Sequence, residues 1–291
     1  ESKRTHNAME RTVILYHGGC PDGFGGAYAA WKKFGESAEY VALRHQKPAP
    51  DNLAGAHLYF IDFCFPKEQM DELISIAASV TVLDHHEGVR GVVEAMPAFV
   101  YEVSHSGATI AWSYFHPGTE VPLMLRYVED GDLYKFTLPD SRALLAYLYS
   151  NPFEFGMWDT LVEEVADDAK RLEMVRRGEI FKEHADSLIR QLAERAKLVR
   201  FEGYEVYFSS SISAFSSDLA NLLARKQAPL ALAVQARPDG LRVSLRGDGS
   251  VNVAELAQKY GGNGHPNSAA FSLPWGAPLP WEKIENEDTG D

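Results

Sequence analysis

The sequence predicts an α/β protein of two domains, the first of which is built on a parallel sheet. Three observations predict this class. Short apolar runs alternate with helical patterns in the first half of the chain, and these runs are apolar almost throughout, as strands covered on both faces are. The pattern changes after residue 200. The length of 291 residues also corresponds to about two domains of roughly 150 residues.

The strands of the first domain are predicted at runs rich in β-branched and aromatic residues. These runs are residues 12–16, 39–43, 58–61, 80–83 and, more weakly, 99–103. Apolar residues at helical spacing predict helices between the strands. These helices cover residues 26–34, 66–78 and 108–115.

Helical patterns continue beyond these strands. Residues 121–150 are predicted to be helical, with Pro139 as a break. Residues 159–198 form a long amphipathic stretch that we expect to be interrupted once, at Gly178. Its mixed charge is typical of a solvated connector.

A smaller α/β domain is predicted after this connector. Its strands are expected at residues 204–208, 231–235 and 241–245. The Pro-Asp-Gly turn at residues 238–240 joins the last two strands as a hairpin. A helix over residues 253–260 begins with Asn252 and Glu255 in a capping-box arrangement. The acidic residues 282–291 are predicted to be disordered.

These patterns divide the chain into four parts. We predict a parallel-sheet domain at residues 9–155, a helical linker at 156–200, a second domain at 201–276 and a tail at 277–291. The active site is expected in the cleft between the two domains.

Composition excludes several classes of protein. Apolar residues make up 45% of the chain and charged residues 24%, which is ordinary for globular proteins. No apolar run approaches the roughly 20 residues that span a bilayer. The net charge of −13 repels long nucleic acid and favours a small or short substrate. With only two cysteines, Cys20 and Cys64, the sequence indicates a reducing compartment, and we predict the cytoplasm.

Three apolar strands each end in a residue that can bind metal. The first strand is followed by His17, another by Asp62, and a third by Asp-His-His at residues 84–86. A single Asp after a strand is usually a helix cap, but ligands in open parallel sheets bind where the strands end, and three such strands indicate a site. Asp22 and Asp130 extend this to a His/Asp cluster, which suits Mn²⁺, Fe²⁺ or Zn²⁺.

In this order, the residues resemble the four motifs of the DHH phosphoesterases. The motifs are HGGCPDG at residues 17–23, Ile-Asp at 61–62, DHH at 84–86 and EDGD at 129–132. The run GGNGHPNSAA at residues 261–270 resembles the GGGH…AA signature of the second domain of this family. The resemblance spans roughly residues 12 to 273. Within the family, the sequence most resembles the oligoribonuclease and 3′-phosphoadenosine-5′-phosphate phosphatase group.

The resemblance implies a site for one or two metal ions, Mn²⁺ above others. The implied ligands are His17 and Asp62 for one ion, and Asp22, Asp62, His85 and Asp130 for the other, with Asp62 bridging. Asp132 competes with Asp130 for one role, and we favour Asp130. His86 is expected to face the substrate as a general acid or as an electrostatic partner. Asp84 is expected to orient a histidine.

The first motif departs from the family, because Cys20 stands where the usual Asp-x-Asp pair has its first Asp. The first metal is therefore held by the Cys20 thiolate, weakly bound or absent. Cys64 is predicted to be a small buried apolar residue.

The second domain is expected to hold the substrate. Gly262 and Gly264 would let a phosphate approach the backbone closely, successive N–H groups would form an anion nest, and His265 would add a donor. Arg246 stands where the second domain of the family tends to carry a substrate arginine, although a surface arginine at a hairpin end is a serious alternative. Ser106 at the start of a helix is expected to be an ordinary N-cap, with phosphate binding as the alternative.

The predicted function is metal-dependent hydrolysis of short oligonucleotides or small nucleotide phosphates by a metal-activated water. One alternative is a hydrolase similar to pyrophosphatases or exopolyphosphatases. The other is a nucleotide-binding regulator with an impaired metal site, which Cys20 suggests. Long nucleic acid and membranes are not expected partners, and the sequence leaves a homodimer open.

Overall fold

The computed structural model describes residues 11–44 and 48–284. The chain forms two compact units that divide between Lys182 and Glu183. No helix in the described residues is long and apolar enough to cross a membrane.

The first unit contains a five-stranded parallel sheet with the order β2-β1-β3-β4-β5. Its strands are β1 (Thr12–His17), β2 (Ala38–Leu43), β3 (His57–Ile61), β4 (Ser79–Asp84) and β5 (Ala98–Tyr101). The helices up to the unit boundary are α1 (Pro21–Phe34), α2 (Lys67–Ile76), α3 (Arg90–Val93), α4 (Gly107–Phe115), α5 (Leu123–Asp132), α6 (Ser141–Leu148), α7 (Phe155–Ala166) and α8 (Asp168–Glu194), which continues into the second unit. The parallel α/β prediction for this part of the chain is confirmed.

Each face of this sheet has its own apolar core, because side chains alternate along a strand. On β1, Val13 and Leu15 pack into one core and Ile14 into the other. Helix α1 approaches the sheet closely at Gly26, where an added Cβ would lie 2.2 Å from Ile61 Cγ2. This contact brings the beginning of α1 close to the end of β3.

The long amphipathic stretch breaks at a different place from the predicted one. The break lies at Asp167, whose carboxylate accepts hydrogen bonds from Ala169 N–H and Lys170 N–H, both at 2.9 Å. Gly178 lies inside α8, where an added Cβ would come within 1.8 Å of Ala143 O. The glycine therefore serves close helix packing, and the predicted interruption at Gly178 is wrong.

The second unit contains a seven-stranded mixed sheet with the order β10-β11-β9-β8-β7-β6-β12. Its strands are β6 (Lys197–Phe201), β7 (Tyr204–Ser210), β8 (Leu230–Arg237), β9 (Gly240–Gly247), β10 (Asn263–His265), β11 (Ser268–Pro274) and β12 (Trp281–Lys283). Its helices are α9 (Ser213–Lys226) and α10 (Val253–Gln258). The fold class predicted for both units is therefore confirmed.

Local signals in this unit have mixed outcomes. The predicted hairpin joins β8 to β9, and Asn252 Oδ1 accepts from Ala254 N–H at 3.1 Å at the start of α10. Strand β6 occupies the end of the predicted linker. Residues 282 and 283, predicted to be disordered, belong to β12, which pairs with β6. Residues 285–291 of that tail lie outside the described residues.

Candidate metal centre

Three neighbouring strands bring the predicted ligands to one edge of the first sheet. In the pairing, Tyr16 of β1 lies beside Ile61 of β3, and Ile61 lies beside Leu83 of β4. His17 and Asp62 come directly after two of these positions, and the Asp-His-His triplet begins after the third. Parallel pairing therefore brings these side chains together at one edge of the sheet, as the sequence predicts.

Asp62 is the most central of these residues. Its Oδ2 lies 3.2 Å from His17 Nδ1, and its Oδ1 lies 3.4 Å from His85 Nε2 and 3.5 Å from His86 Nδ1. Its side chain is buried, and its backbone is left-handed with φ 55°, a conformation that costs energy and persists only where the surroundings hold it. Burial disfavours its charge, but the three histidines outweigh burial and hold the pKa of Asp62 below its usual range.

Asp22 is positioned by the first turn of α4. Gly107 N–H and Ala108 N–H donate to its two carboxylate oxygens at 2.6 and 2.9 Å. An added Cβ at Gly107 would lie 2.7 Å from Asp62 Cβ, so only glycine fits here. Burial and the charge of Asp62 raise the pKa of Asp22 to about 6. These N–H groups hold a carboxylate, so the alternative of a phosphate at this helix start is not supported.

Glu129 accepts from further donors at this helix start. Its Oε2 accepts from Ser106 N–H at 3.0 Å and from the Thr109 hydroxyl, and it lies 3.0 Å from His105 Nδ1. Ser106 occupies the N-cap position as predicted, but its side chain makes no capping hydrogen bond.

The fourth motif places Asp132 in the centre and Asp130 outside it, which corrects our preference for Asp130. Asp132 Oδ2 lies 3.5 Å from His85 Nε2. Asp130 Oδ1 accepts from Thr137 N–H at 2.8 Å and from the Thr137 hydroxyl at 2.9 Å, and its Oδ2 accepts from Leu138 N–H at 3.2 Å. Its carboxylate oxygens are therefore engaged in shaping the loop after α5.

Asp84 orients the two histidines of the DHH triplet. Its Oδ1 accepts from His85 N–H at 2.7 Å and from His86 N–H at 2.9 Å, and it lies 2.9 Å from His86 Nδ1. Burial disfavours charge on His86, but this carboxylate and Asp62 raise its pKa to about 9. The side chain of His86 is 38% exposed, compared with 7% for His85. His86 therefore reaches solvent while His85 is enclosed.

Cys20 lies among the predicted ligands, directly before α1. Ligand atoms of His17, Cys20 and Asp62 all lie within 4.8 Å of one another. Burial and then the charges of Asp62, Asp22 and Asp132 raise the pKa of the Cys20 thiol well above its usual range. Cys64 packs into one core of the first unit, as predicted.

The residues fit a divalent metal ion. Three groups of side chains offer ligand atoms within 4.8 Å of one another: His17 with Cys20 and Asp62, Asp62 with His85 and His86, and Asp22 with His85 and Asp132. Asp62 Oδ1 and His85 Nε2 are buried and have no hydrogen-bond partner among the described residues. Buried polar atoms are costly without a partner, and carboxylate oxygen and imidazole nitrogen suit divalent ions. The structure therefore supports a divalent metal site.

The predicted substrate residues of the second unit have mainly structural contacts. Gly262 N–H donates to Ala257 O at 2.9 Å, and Gly264 N–H donates to Asn263 Oδ1 at 2.8 Å. An added Cβ at Gly262 would lie 2.6 Å from Phe271 Cβ. The predicted nest of successive N–H donors is therefore wrong for these two amides.

The two polar side chains of this predicted site lie on the two strands that flank β11. His265 is exposed on β10, opposite Ser268 of β11. The side chain of Arg246 donates to Ser217 Oγ at 2.6 Å and to Leu245 O at 2.9 Å. In register Arg246 pairs with Ser268, so the two predicted residues face the same position of β11. Their role toward a substrate stays a prediction.

Comparison with known proteins agrees with the fold. No protein-family model matches the chain. An uncharacterized protein of Acanthamoeba polyphaga mimivirus is 26% identical over 96% of this chain and 72% of its own length. The DHH domain of a protein described as a member of a family of ribosomal proteins is 12% identical, covers 90% of this chain and 82% of its own, and has a TM-score of 0.58.

Two further solved structures carry names that describe a function. RecJ from Thermus thermophilus, in complex with Mn²⁺, has a TM-score of 0.51 at 13% identity and covers 90% of this chain and 49% of its own. An exopolyphosphatase-related protein from Bacteroides fragilis has a TM-score of 0.50 at 13% identity. The match covers 92% of this chain and 88% of that protein. The chain therefore has the fold of DHH-domain proteins, as the motifs predict.

Proposed function

We propose that this protein is a metal-dependent phosphoesterase of the DHH type that hydrolyses short oligonucleotides or small nucleotide phosphates, with Mn²⁺ as its metal. The observation that carries the proposal is Asp62, which belongs to two of the three groups of ligand atoms and has a buried oxygen with no hydrogen-bond partner among the described residues. A carboxylate shared in this way is suited to bridging two ions.

Each residue of the centre has a role in this proposal. His17, Cys20 and Asp62 would hold one ion, and Asp22, Asp62, His85 and Asp132 would hold the other. Bound divalent ions supply positive charge that stabilises the negative oxygens of a phosphoryl group. Gly107 N–H and Ala108 N–H keep Asp22 in place, and Asp84 keeps the two histidines in place.

His86 would act on the leaving group. Its Nδ1 is held by Asp84 at 2.9 Å, so a proton given to the leaving oxygen would come from Nε2. Its partial exposure suits a group that meets the substrate, in contrast to the enclosed His85.

The substrate class is the finer part of the proposal. The net charge of −13 supports a short substrate over a long one. The likeness to an exopolyphosphatase-related protein makes polyphosphate the second candidate. A nucleotide-binding regulator with an impaired metal site is the third candidate. Cys20 in the first motif supports it, because a thiolate is a softer ligand than a carboxylate and changes which metal binds.

The proposal is tested by incubating the purified protein with Mn²⁺ and a panel of substrates. The panel contains RNA dinucleotides to octamers, 3′-phosphoadenosine-5′-phosphate and tripolyphosphate, and products are resolved by mass. We expect turnover of the short nucleotides. Asp62→Asn should abolish turnover and lower bound metal, and the exposed Asp71→Asn should do neither. Binding of a dinucleotide without turnover would instead support the regulator.

A separate variant distinguishes between two roles of His86, proton delivery and metal binding. His86→Ala should retain the metal and lose turnover by about 10²–10⁴-fold. If His86→Ala loses the metal, His86 is a ligand and its proposed role is wrong.

A further inference from the structure

The loop between α5 and α6, at residues 133–140, concentrates strained backbone beside the metal centre. Six non-glycine residues in the described chain have left-handed backbone, and three of them lie in this loop. Tyr134, Phe136 and Asp140 have φ of 55°, 48° and 54°. Such strain costs energy, so it persists only where the surroundings enforce it, and it concentrates at sites that bind or react.

Asp130 enforces this loop conformation. Its backbone carbonyl accepts from Lys135 N–H at 2.9 Å and from Phe136 N–H at 3.1 Å, in addition to the bonds of its carboxylate with Thr137 and Leu138. Asp130 therefore holds residues 135–138 of this loop, and three side chains in or next to the loop contact one another.

These side chains form a surface that we call the Tyr134 platform, consisting of Tyr134, Phe136 and Arg142. Tyr134 is 51% exposed, and its ring meets Phe136 edge-on with centroids 4.8 Å apart. The Arg142 guanidinium lies 3.5 Å from the centre of the Phe136 ring and 5.3 Å from that of Tyr134. Within the described residues no carboxylate pairs with Arg142, so the platform is both aromatic and positively charged.

Two connections along the chain place the platform close to the metal centre. Tyr134 follows Asp132 by two residues. Arg142 and Tyr149 stand seven residues apart on α6 and its C-cap, which places them on one face at a separation of about 10 Å. At the Tyr149 end, an added Cβ at Gly131 would lie 3.5 Å from Tyr149 Oη. The distance along this face is one that a nucleotide unit can span.

We propose that the Tyr134 platform is a nucleobase subsite, in which a base of the substrate stacks on the exposed ring of Tyr134 while Arg142 attracts its phosphates. Every nucleobase has a flat face that can stack on an aromatic ring, whereas polyphosphate contains no ring that could stack. The inference rests on the proposed function and narrows it to substrates that carry a base within one nucleotide of the scissile phosphate.

Binding and kinetics test the platform separately. Calorimetry compares AMP with ribose 5-phosphate, and kinetics compare the dinucleotide pApA with tripolyphosphate. Wild type should bind AMP about tenfold or more tightly than ribose 5-phosphate. Tyr134→Asn should remove this preference and raise the KM for pApA by a similar factor, with any turnover of tripolyphosphate unchanged. Asn tolerates left-handed backbone, so the change does not add strain.

Two further variants complete the test. Tyr134→Phe keeps the ring and should keep the preference for AMP. Tyr114→Ala removes another exposed tyrosine ring, on α4, and should leave the preference for AMP unchanged. Equal binding of AMP and ribose 5-phosphate by wild type, or an unchanged preference in Tyr134→Asn, overturns the platform. If wild type binds AMP selectively but hydrolyses nothing in the panel, the platform stands and the proposed function fails.

Discussion

Among single residues, Asp130 and Asp132 show how neighbouring carboxylates take separate roles. One turn of helix does not bring positions two apart to the same face, so the side chains point in different directions. Asp132 comes within 3.5 Å of His85, whereas Asp130 accepts hydrogen bonds from the loop that follows. The first is suited to bind metal and the second to build the loop.

This division predicts opposite outcomes for two matched variants. Asp132→Asn should lower the affinity for Mn²⁺ by more than about a hundredfold. Loss of a residue that only hydrogen-bonds to a metal ligand already costs about 10- to 100-fold, and loss of a ligand should cost more. Asp130→Asn should retain Mn²⁺ but lower the free energy of unfolding by about 1–3 kcal/mol, because one carboxylate oxygen becomes an NH2 group and Leu138 N–H loses its acceptor. Metal analysis and urea unfolding measure the two effects. Loss of metal in Asp130→Asn alone would reverse the assignment.

Cys20 gives the second prediction for a single residue. As a ligand, its thiolate should shift metal preference from Mn²⁺ toward Zn²⁺ or Fe²⁺. Cys20→Ser should then lower metal stoichiometry, and Cys20→Asp should raise Mn²⁺-dependent turnover. Metal content is measured beside wild type, purified under reductant and without chelator. Unchanged metal and rate in Cys20→Ser would mean that the thiol only fills space.

Between helices and strands, glycines allow neighbouring elements to approach closely. Gly26 of α1 lies against Ile61, and Gly178 of α8 lies against the backbone of Ala143 in α6. These glycines lie inside helices, where the intrinsic preference is against them by about 1 kcal/mol. Close packing of the elements outweighs that local cost.

Gly178→Ala should therefore destabilise the protein although alanine favours helices. The added Cβ meets the backbone oxygen of Ala143, which cannot rotate away, and we expect a loss of about 1–3 kcal/mol in the free energy of unfolding. Gly156→Ala in α7 is the matched control. An added Cβ there has no atom within 4 Å, so we expect a gain of up to about 1 kcal/mol. Urea unfolding of both variants measures this, and equal effects would contradict the packing argument.

Over the entire chain, charge limits the length of a nucleic-acid substrate. The chain carries 28 basic and 41 acidic residues, which leaves a net charge of −13. Affinity for long nucleic acid comes largely from phosphates that replace their counterions with Lys and Arg. A strongly acidic protein gains little of this affinity outside a local site.

We therefore expect binding of RNA to reach a plateau with length. Dimers to pentamers should react faster than long strands, and log K against log salt should fall with a slope of no more than about 3 in magnitude, as few phosphates are contacted. Turnover of dimers through 30-mers, at two salt concentrations and with a constant amount of Mn²⁺, checks both points. Rates that rise beyond about ten nucleotides would indicate a threading channel instead.

Much of the fold follows from sequence, because its causes are local. The five strands of the first sheet and the helices α1, α2 and α4 follow from short apolar runs and helical spacing, which act over a few residues, whereas the short α3 is not predicted. Elements that depend on pairing are harder to predict. Strand β12 has only three residues and exists as a strand by pairing with β6, and Gly178 is acceptable in α8 because of a contact with α6.

The amino-acid order is enough to predict the parallel sheet and the meeting of His17, Asp62 and the DHH triplet, because parallel pairing brings the ends of neighbouring strands together. The choice between Asp130 and Asp132 needs the folded chain, and so does the finding that the first turn of α4 holds Asp22. Both depend on the same physical cause. Hydrogen bonds to groups far along the chain, or across a strained loop, settle where a carboxylate points, and such partners leave no periodic signal in the sequence.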